Sequence, residues 1–124
     1  MKKEKKYLFG DCVIRDIYKE SDYRLRIKGV YAEYVDQEIC FFNVLFTQLD
    51  RTLKGSRVAV TLEIPCENLD SIFYQNVVKE IIAPEKETTK DIVSYLQQHE
   101  YRVFTSFVDS GGEYITIAKE VEIN

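Results

Sequence analysis

Tyr23-Arg24-Leu25-Arg26-Ile27-Lys28-Gly29 alternates without a fault: Tyr23, Leu25 and Ile27 fall on one side of an extended chain, and Arg24, Arg26 and Lys28 on the other. This is the pattern of a half-buried strand with a basic outer face. The same period continues on both sides of it. A strand is expected over about Tyr7 to Tyr18, and Asp36-Gln37 reads as a turn into a β-rich, aromatic run from Glu38 to Phe46. Val58, Val60, Leu62 and Ile64 share a face in a further strand that opens after Gly55-Ser56. Between these last two, Thr47 to Lys54 has room for about two helical turns, with Gly55 as a natural cap.

The period changes after Pro65. Leu69, Ile72, Phe73, Val77 and Ile81 recur at helical spacing up to Pro84, which predicts one amphipathic helix. Thr88 followed by Asp91 resembles a capping box, and Ile92, Tyr95, Leu96 and His99 line one face of a second helix. Strands then return over Tyr101 to Val108 and Tyr114 to Ile123, joined by a hairpin loop whose Gly111-Gly112 supplies positive φ. No repeat, low-complexity segment or linker divides the chain, so its 124 residues are expected to form one domain.

Composition narrows the function classes. The chain is 45% hydrophobic, and 17 Lys+Arg against 21 Asp+Glu leave a net charge of -4, so no global basic field attracts polyanions. The charge is uneven. Residues 1–66 hold 12 basic and 10 acidic side chains, for +2, whereas residues 67–124 hold 5 and 11, for -6. Lys2 to Lys6 is not followed by an apolar run, and no apolar stretch approaches the roughly 18 residues of a membrane span, so a cytoplasmic protein is expected. Cys12, Cys40 and Cys66 are widely spaced and odd in number, which reads as buried free thiols. With His99 the only histidine, neither a metal site nor a Cys-His nucleophilic dyad is expected, and no cofactor motif is present. His99 instead falls at a helix end, where an imidazole can satisfy terminal carbonyls.

Cys40-Phe41-Phe42-Asn43-Val44-Leu45-Phe46, a short helix, and Lys54-Gly55-Ser56-Arg57-Val58-Ala59-Val60 together resemble the middle of bacterial-type single-stranded-DNA-binding proteins. In that family an aromatic third strand, a helix and a K-G-S-x-V-x-V strand follow in this order. Ile117 to Ile123 is similar to the family's closing strand, and Phe9-Gly10-Asp11 to Asp16 to its opening one. The resemblance implies an OB-fold, in which a helix lies between strands three and four. The expected class is therefore α+β: an antiparallel, OB-like β-barrel of about five to six strands, with two helices inserted before the C-terminal hairpin.

Two functional readings follow, neither of them enzymatic. In the first, which the resemblance implies, single-stranded nucleic acid stacks on Phe41, Phe42 or Phe46, each exposed ring contributing about 1–3 kcal/mol. Its phosphates would meet Arg24, Arg26 and Lys28, spaced roughly 7 Å apart along the strand, with Arg57 of the K-G-S-R segment beside them. The plainer alternative is that at least two of these rings are core and the cations a solvated strand face. In the second reading the chain is a protein-interaction or inhibitor module. Nine tyrosines favour it, since tyrosine joins a rigid apolar body to a polar tip. Tyr31, Tyr34, Tyr74 and Tyr95 are the candidate contacts, with Tyr18 and Tyr101 also outside the core pattern. The small acidic inhibitors of phages and mobile elements that act on nucleic-acid-handling machinery share this general character.

Overall fold

The computed structural model describes residues 6–20, 23–31, 35–66, 89–109 and 111–123. These form β1 (Lys6–Glu20), β2 (Arg24–Tyr31), β3 (Val35–Phe42), β4 (Phe46–Thr47), a 3₁₀ turn (Arg51–Leu53), β5 (Arg57–Ile64), α1 (Thr89–Gln98), β6 (Arg102–Val108), β7 (Gly112–Ala118) and β8 (Glu120–Ile123). All eight strands belong to one sheet, ordered β4-β7-β6-β5-β1-β2-β3-β8, and every neighbouring pair is antiparallel.

The expected α+β class, with an OB-like barrel of five to six strands and two helices, is therefore corrected to a mainly antiparallel β fold. Among the described residues there is one α-helix, α1. The helix expected from Leu69 to Pro84 lies outside them, as does the capping residue Thr88. Two kinks account for the larger strand number. Asn43, in the left-handed region at φ 54°, cuts the expected Glu38–Phe46 strand into β3 and β4. Lys119 likewise divides the expected Tyr114–Ile123 strand into β7 and β8. Asp36-Gln37, expected as a turn, lies inside β3. The two helical turns expected before Gly55 are one 3₁₀ turn, capped where Asp50 Oδ1 accepts from the Thr52 amide at 2.8 Å. The Thr52 hydroxyl, which also donates to Asp50 Oδ1, and secondarily this amide hold the Asp50 carboxyl below its ordinary value.

Two bulges bend the long β1, at Tyr7/Phe9 and Ile14/Asp16, so that it pairs with β5 along its first half and with β2 along its second. The bent β3–β4 and β7–β8 also pair with each other: Phe42 with Glu120, then Phe46 with Ile117. The sheet consequently coils on itself. Phe41 of β3 and Phe104 of β6 lie four places apart in the strand order, about 19 Å in a flat sheet. Their ring centroids are 5.0 Å apart, edge to face.

Inside the coil, Ile14, Ile17, Leu25, Ile39, Phe41, Leu49 and Phe104 form the main core. A second cluster lies on the outer side of β5, β6 and β7, where α1 inserts Leu96 against Ile64, Val103, Ile115 and Ile117. Both faces of β6 are thus covered, and its hydroxyls are matched across strands: Ser106 with Thr61 at 2.9 Å, and Thr105 to Glu113 at 3.0 Å. At one end of β5 and β6 the Arg102 guanidinium grips Glu63 with two bonds, at 2.8 and 2.6 Å.

α1 ends in a Schellman turn, with the Glu100 amide donating to Gln97 O at 3.1 Å and the Tyr101 amide to Leu96 O at 2.8 Å. Glu100 occupies the left-handed position, φ 60°, that glycine fills without steric cost. Glu100→Gly is expected to stabilise the fold by about 0.5–1 kcal/mol, read as a higher midpoint in urea unfolding with an unchanged slope.

Candidate recognition surface

The basic row expected on β2 does share one outer face, but carboxylates surround it. Glu20, Tyr18 and Asp16 of β1 pair in register with Arg24, Arg26 and Lys28, and on the other side Cys40 and Glu38 of β3 pair with Arg26 and Lys28. Glu120 and Glu122 of β8 follow beyond β3. Arg26 is bonded to Glu20 and lies 3.7 Å from Glu38. The Tyr18 ring attracts both Arg26 and Lys28, each 5.7 Å from its centroid. Arg24 lies over Phe42, 5.4 Å from that centroid. Arg57, on β5, is clamped between Asp11 at 2.8 Å and Asp109 at 3.4 Å. A phosphate reaching this face would have to displace these partners and would meet an excess of negative charge.

The expected stacking rings are placed just as unfavourably. Phe41 is 1% exposed in the core. Phe42 is half-buried beneath Arg24, and Phe46 packs against the cluster under α1. Of the expected tyrosine contacts, Tyr34, Tyr74 and the side chain of Tyr31 lie outside the described residues. Tyr95 is half-buried against the α1 cluster, with its ring 4.4 Å from that of His99.

A different arrangement occurs where the two kinks meet. Tyr23, Asn43, Val44, Leu45, Tyr101 and Lys119 line a groove of about 300 Å³. Asn43 leaves β3 in the left-handed region, which an Asn tolerates better than most residues. Val44 then donates its amide to Tyr23 O at 2.8 Å, and Leu45 donates to Ile117 O at 2.8 Å. The Lys119 amide, at the kink between β7 and β8, donates to Phe42 O at 3.1 Å. These bonds tie the β1–β2 turn, β7 and the two kinks to one another around the groove. Its apolar floor comes from half-buried Val44 and Leu45. Lys119 Nζ sits 5.2 Å from the Tyr101 ring centroid, and burial raises the Tyr101 hydroxyl above its ordinary range, with Tyr95 adding a smaller push.

Tyr23 stands at the lip of this groove, 77% exposed, with φ 60°. The alternation in the sequence assigns it to the inward face of β2, but β2 begins at Arg24 and Tyr23 belongs to the turn before it. The preceding Ser21-Asp22, both common turn residues, is the signal that could have placed it there. Lys119 and Asn43 carried no comparable signal, since each lies within an otherwise regular strand pattern.

The three cysteines are free thiols, of which only Cys12 is buried as expected; Cys40 and Cys66 are half-buried. Burial, with Asp11 nearby, pushes Cys12 above its ordinary value, and burial together with the Glu38 carboxylate does the same to Cys40. A nucleophilic cysteine requires the opposite shift. Among the described residues no group of three or more His, Cys, Asp or Glu side chains could hold a metal ion, and no helix is long and apolar enough to cross a membrane. Comparison with known proteins returns no matching family model, no matching curated protein and no matching solved structure.

Proposed function

We propose that this chain is a nonenzymatic protein-recognition module that grips its partner with the groove between Tyr23 and Tyr101. The observation that carries this reading is the state of Tyr23: a large ring left 77% in solvent, on a backbone held in the left-handed region. Such a backbone costs on the order of 1–3 kcal/mol and persists where surrounding structure enforces it, most often at binding sites. The Val44–Tyr23 hydrogen bond supplies that enforcement. Tyrosine is also among the residues that dominate the energetics of protein interfaces.

The groove also suggests what it takes. Its lining is aromatic and aliphatic apart from the Asn43 amide and Lys119, the one charged residue among those described. The matching partner segment presents an apolar side chain beside a carboxylate. Nucleic-acid binding through β2 and β3 is the weaker reading, because its cations are already engaged and its central ring, Phe41, is inside the core.

A photo-crosslinking residue installed in place of Tyr23, with exposed Ser94 as the control site, should yield a position-specific protein adduct in cells expressing the chain. Against the partner so identified, Tyr23→Gly should weaken binding by about tenfold or more while changing stability by less than about 1 kcal/mol. A labelled single-stranded oligonucleotide titrated at low and physiological salt decides against the reading if it binds with a steep salt dependence that Arg24/Arg26/Lys28→Ala abolishes.

A further inference from the structure

β8 is the last strand of the sheet: β3 pairs with one of its edges, and among the described residues no strand pairs with the other. The reason lies in β6. That strand begins at Arg102, opposite Ala118, and the residue before it, Tyr101, is drawn back towards α1, its amide donating to Leu96 O at 2.8 Å. The lane that β6 fills beside β7 therefore ends at Ala118, and among the described residues it stands open from Lys119 onward. Successive peptide groups of a strand point to alternate edges, so about half of those in β8 direct their N–H and C=O into this lane. An exposed edge of this kind is a template for one more strand.

The side chains of β8 define what that strand must carry. Val121 packs on the core side, opposite Phe41, and Ile123 follows it on the same face, 38% exposed. Glu120 and Glu122 take the other face, are exposed, and form no ion pair among the described residues. A two-fold pairing of three or more β8 residues with a second copy would set glutamate opposite glutamate, and like charges directly opposite destabilise a ladder. The edge thus discourages its own copy. It favours a strand whose outward side chains are basic and whose inward ones are apolar.

We propose that the free edge of β8 takes up an extended partner segment in which basic and apolar residues alternate, as an added strand of this sheet. Main-chain hydrogen bonds run to the β8 peptide groups that face away from β3. Lysine or arginine stands opposite Glu120 and Glu122, and apolar side chains cover Val121 and Ile123. The edge adjoins the Tyr23 groove at Lys119 but is read by its own probe, so either can fail without the other.

The probe is a short peptide alternating lysine and valine, blocked at both ends and titrated into the intact chain. The backbone amide resonances of 119–123 should shift on binding, and at least one amide of β8 should gain protection from hydrogen exchange. A peptide alternating glutamate and valine, and one with the same lysines and valines in two separate blocks, should each bind at least about tenfold more weakly, which separates strand pairing from charge attraction alone. Glu120→Lys combined with Glu122→Lys alters only exposed side chains, and it should reverse the preference in favour of the glutamate peptide. The proposal is overturned if the alternating lysine peptide leaves those resonances unmoved, if the block peptide binds as well, if the double variant keeps the original preference, or if the free wild-type chain already dimerises through 119–123.

Discussion

Phe41→Ala is expected to lower stability by about 3–5 kcal/mol, a large share of the 5–15 kcal/mol typical of a whole domain. Phe41 is 1% exposed and meets Phe104 edge to face at 5.0 Å, across the inside of the coil. Truncation removes the apolar area of a full ring and that aromatic contact, and it leaves a void between β3 and β6. Phe41→Leu keeps most of the volume and should cost much less, roughly 1–1.5 kcal/mol. Chemical denaturation of the three proteins checks this. It also separates the two readings of the aromatic run, because a ring exposed for base stacking could be truncated with little loss of stability.

The second large effect is expected at Gly29. This residue is buried in β2, and a Cβ built there would overlap the Cys12 Sγ and stand 2.9 Å from Val13 O. Glycine in a strand interior normally weakens it, so its presence here marks a close approach of β1 to β2. Gly29→Ala should destabilise by about 1–3 kcal/mol through overpacking. The thiol can be removed but the backbone carbonyl cannot. Cys12→Ala combined with Gly29→Ala should therefore recover part of the loss relative to Cys12→Ala alone, and a double-mutant cycle measures the coupling. Zero coupling in that cycle would show that the thiol does not occupy the space.

Much of the fold was legible because strand alternation is a local property. Leu25 and Ile27 are buried and Arg24 and Lys28 exposed, as the two-residue period requires. Leu96 was legible for the same reason on α1, where helical spacing puts it against the sheet. The kinks at Asn43 and Lys119 were not, since a break in a strand depends on what the neighbouring strand does at that height. The short helix before Gly55 failed because hydrogen bonds to β1 and β7 compete with helix there: Gln48 donates to Ile115 O, and Gly55 to Ile14 O. The recognition surface was harder still. Tyr101 stood out in the sequence as a spare tyrosine, but Tyr23 was hidden in the very alternation that located β2.

By itself, then, the sequence determined that the chain is rich in strands, which side of β2 faces the core and which is basic, and that its acidity is concentrated after residue 66. All of these follow from the period and charge of contiguous residues. Only the tertiary structure decided what the basic row faces. Asp16, Glu20 and Glu38 reach it through strand register, and Asp11 and Asp109 reach Arg57 across the sheet. Charges far apart in the chain are brought within a few ångströms by pairing, where they act far more strongly than their sum over the sequence suggests. The same pairing, bent at two kinks, buries Phe41 and leaves Tyr23 in the open.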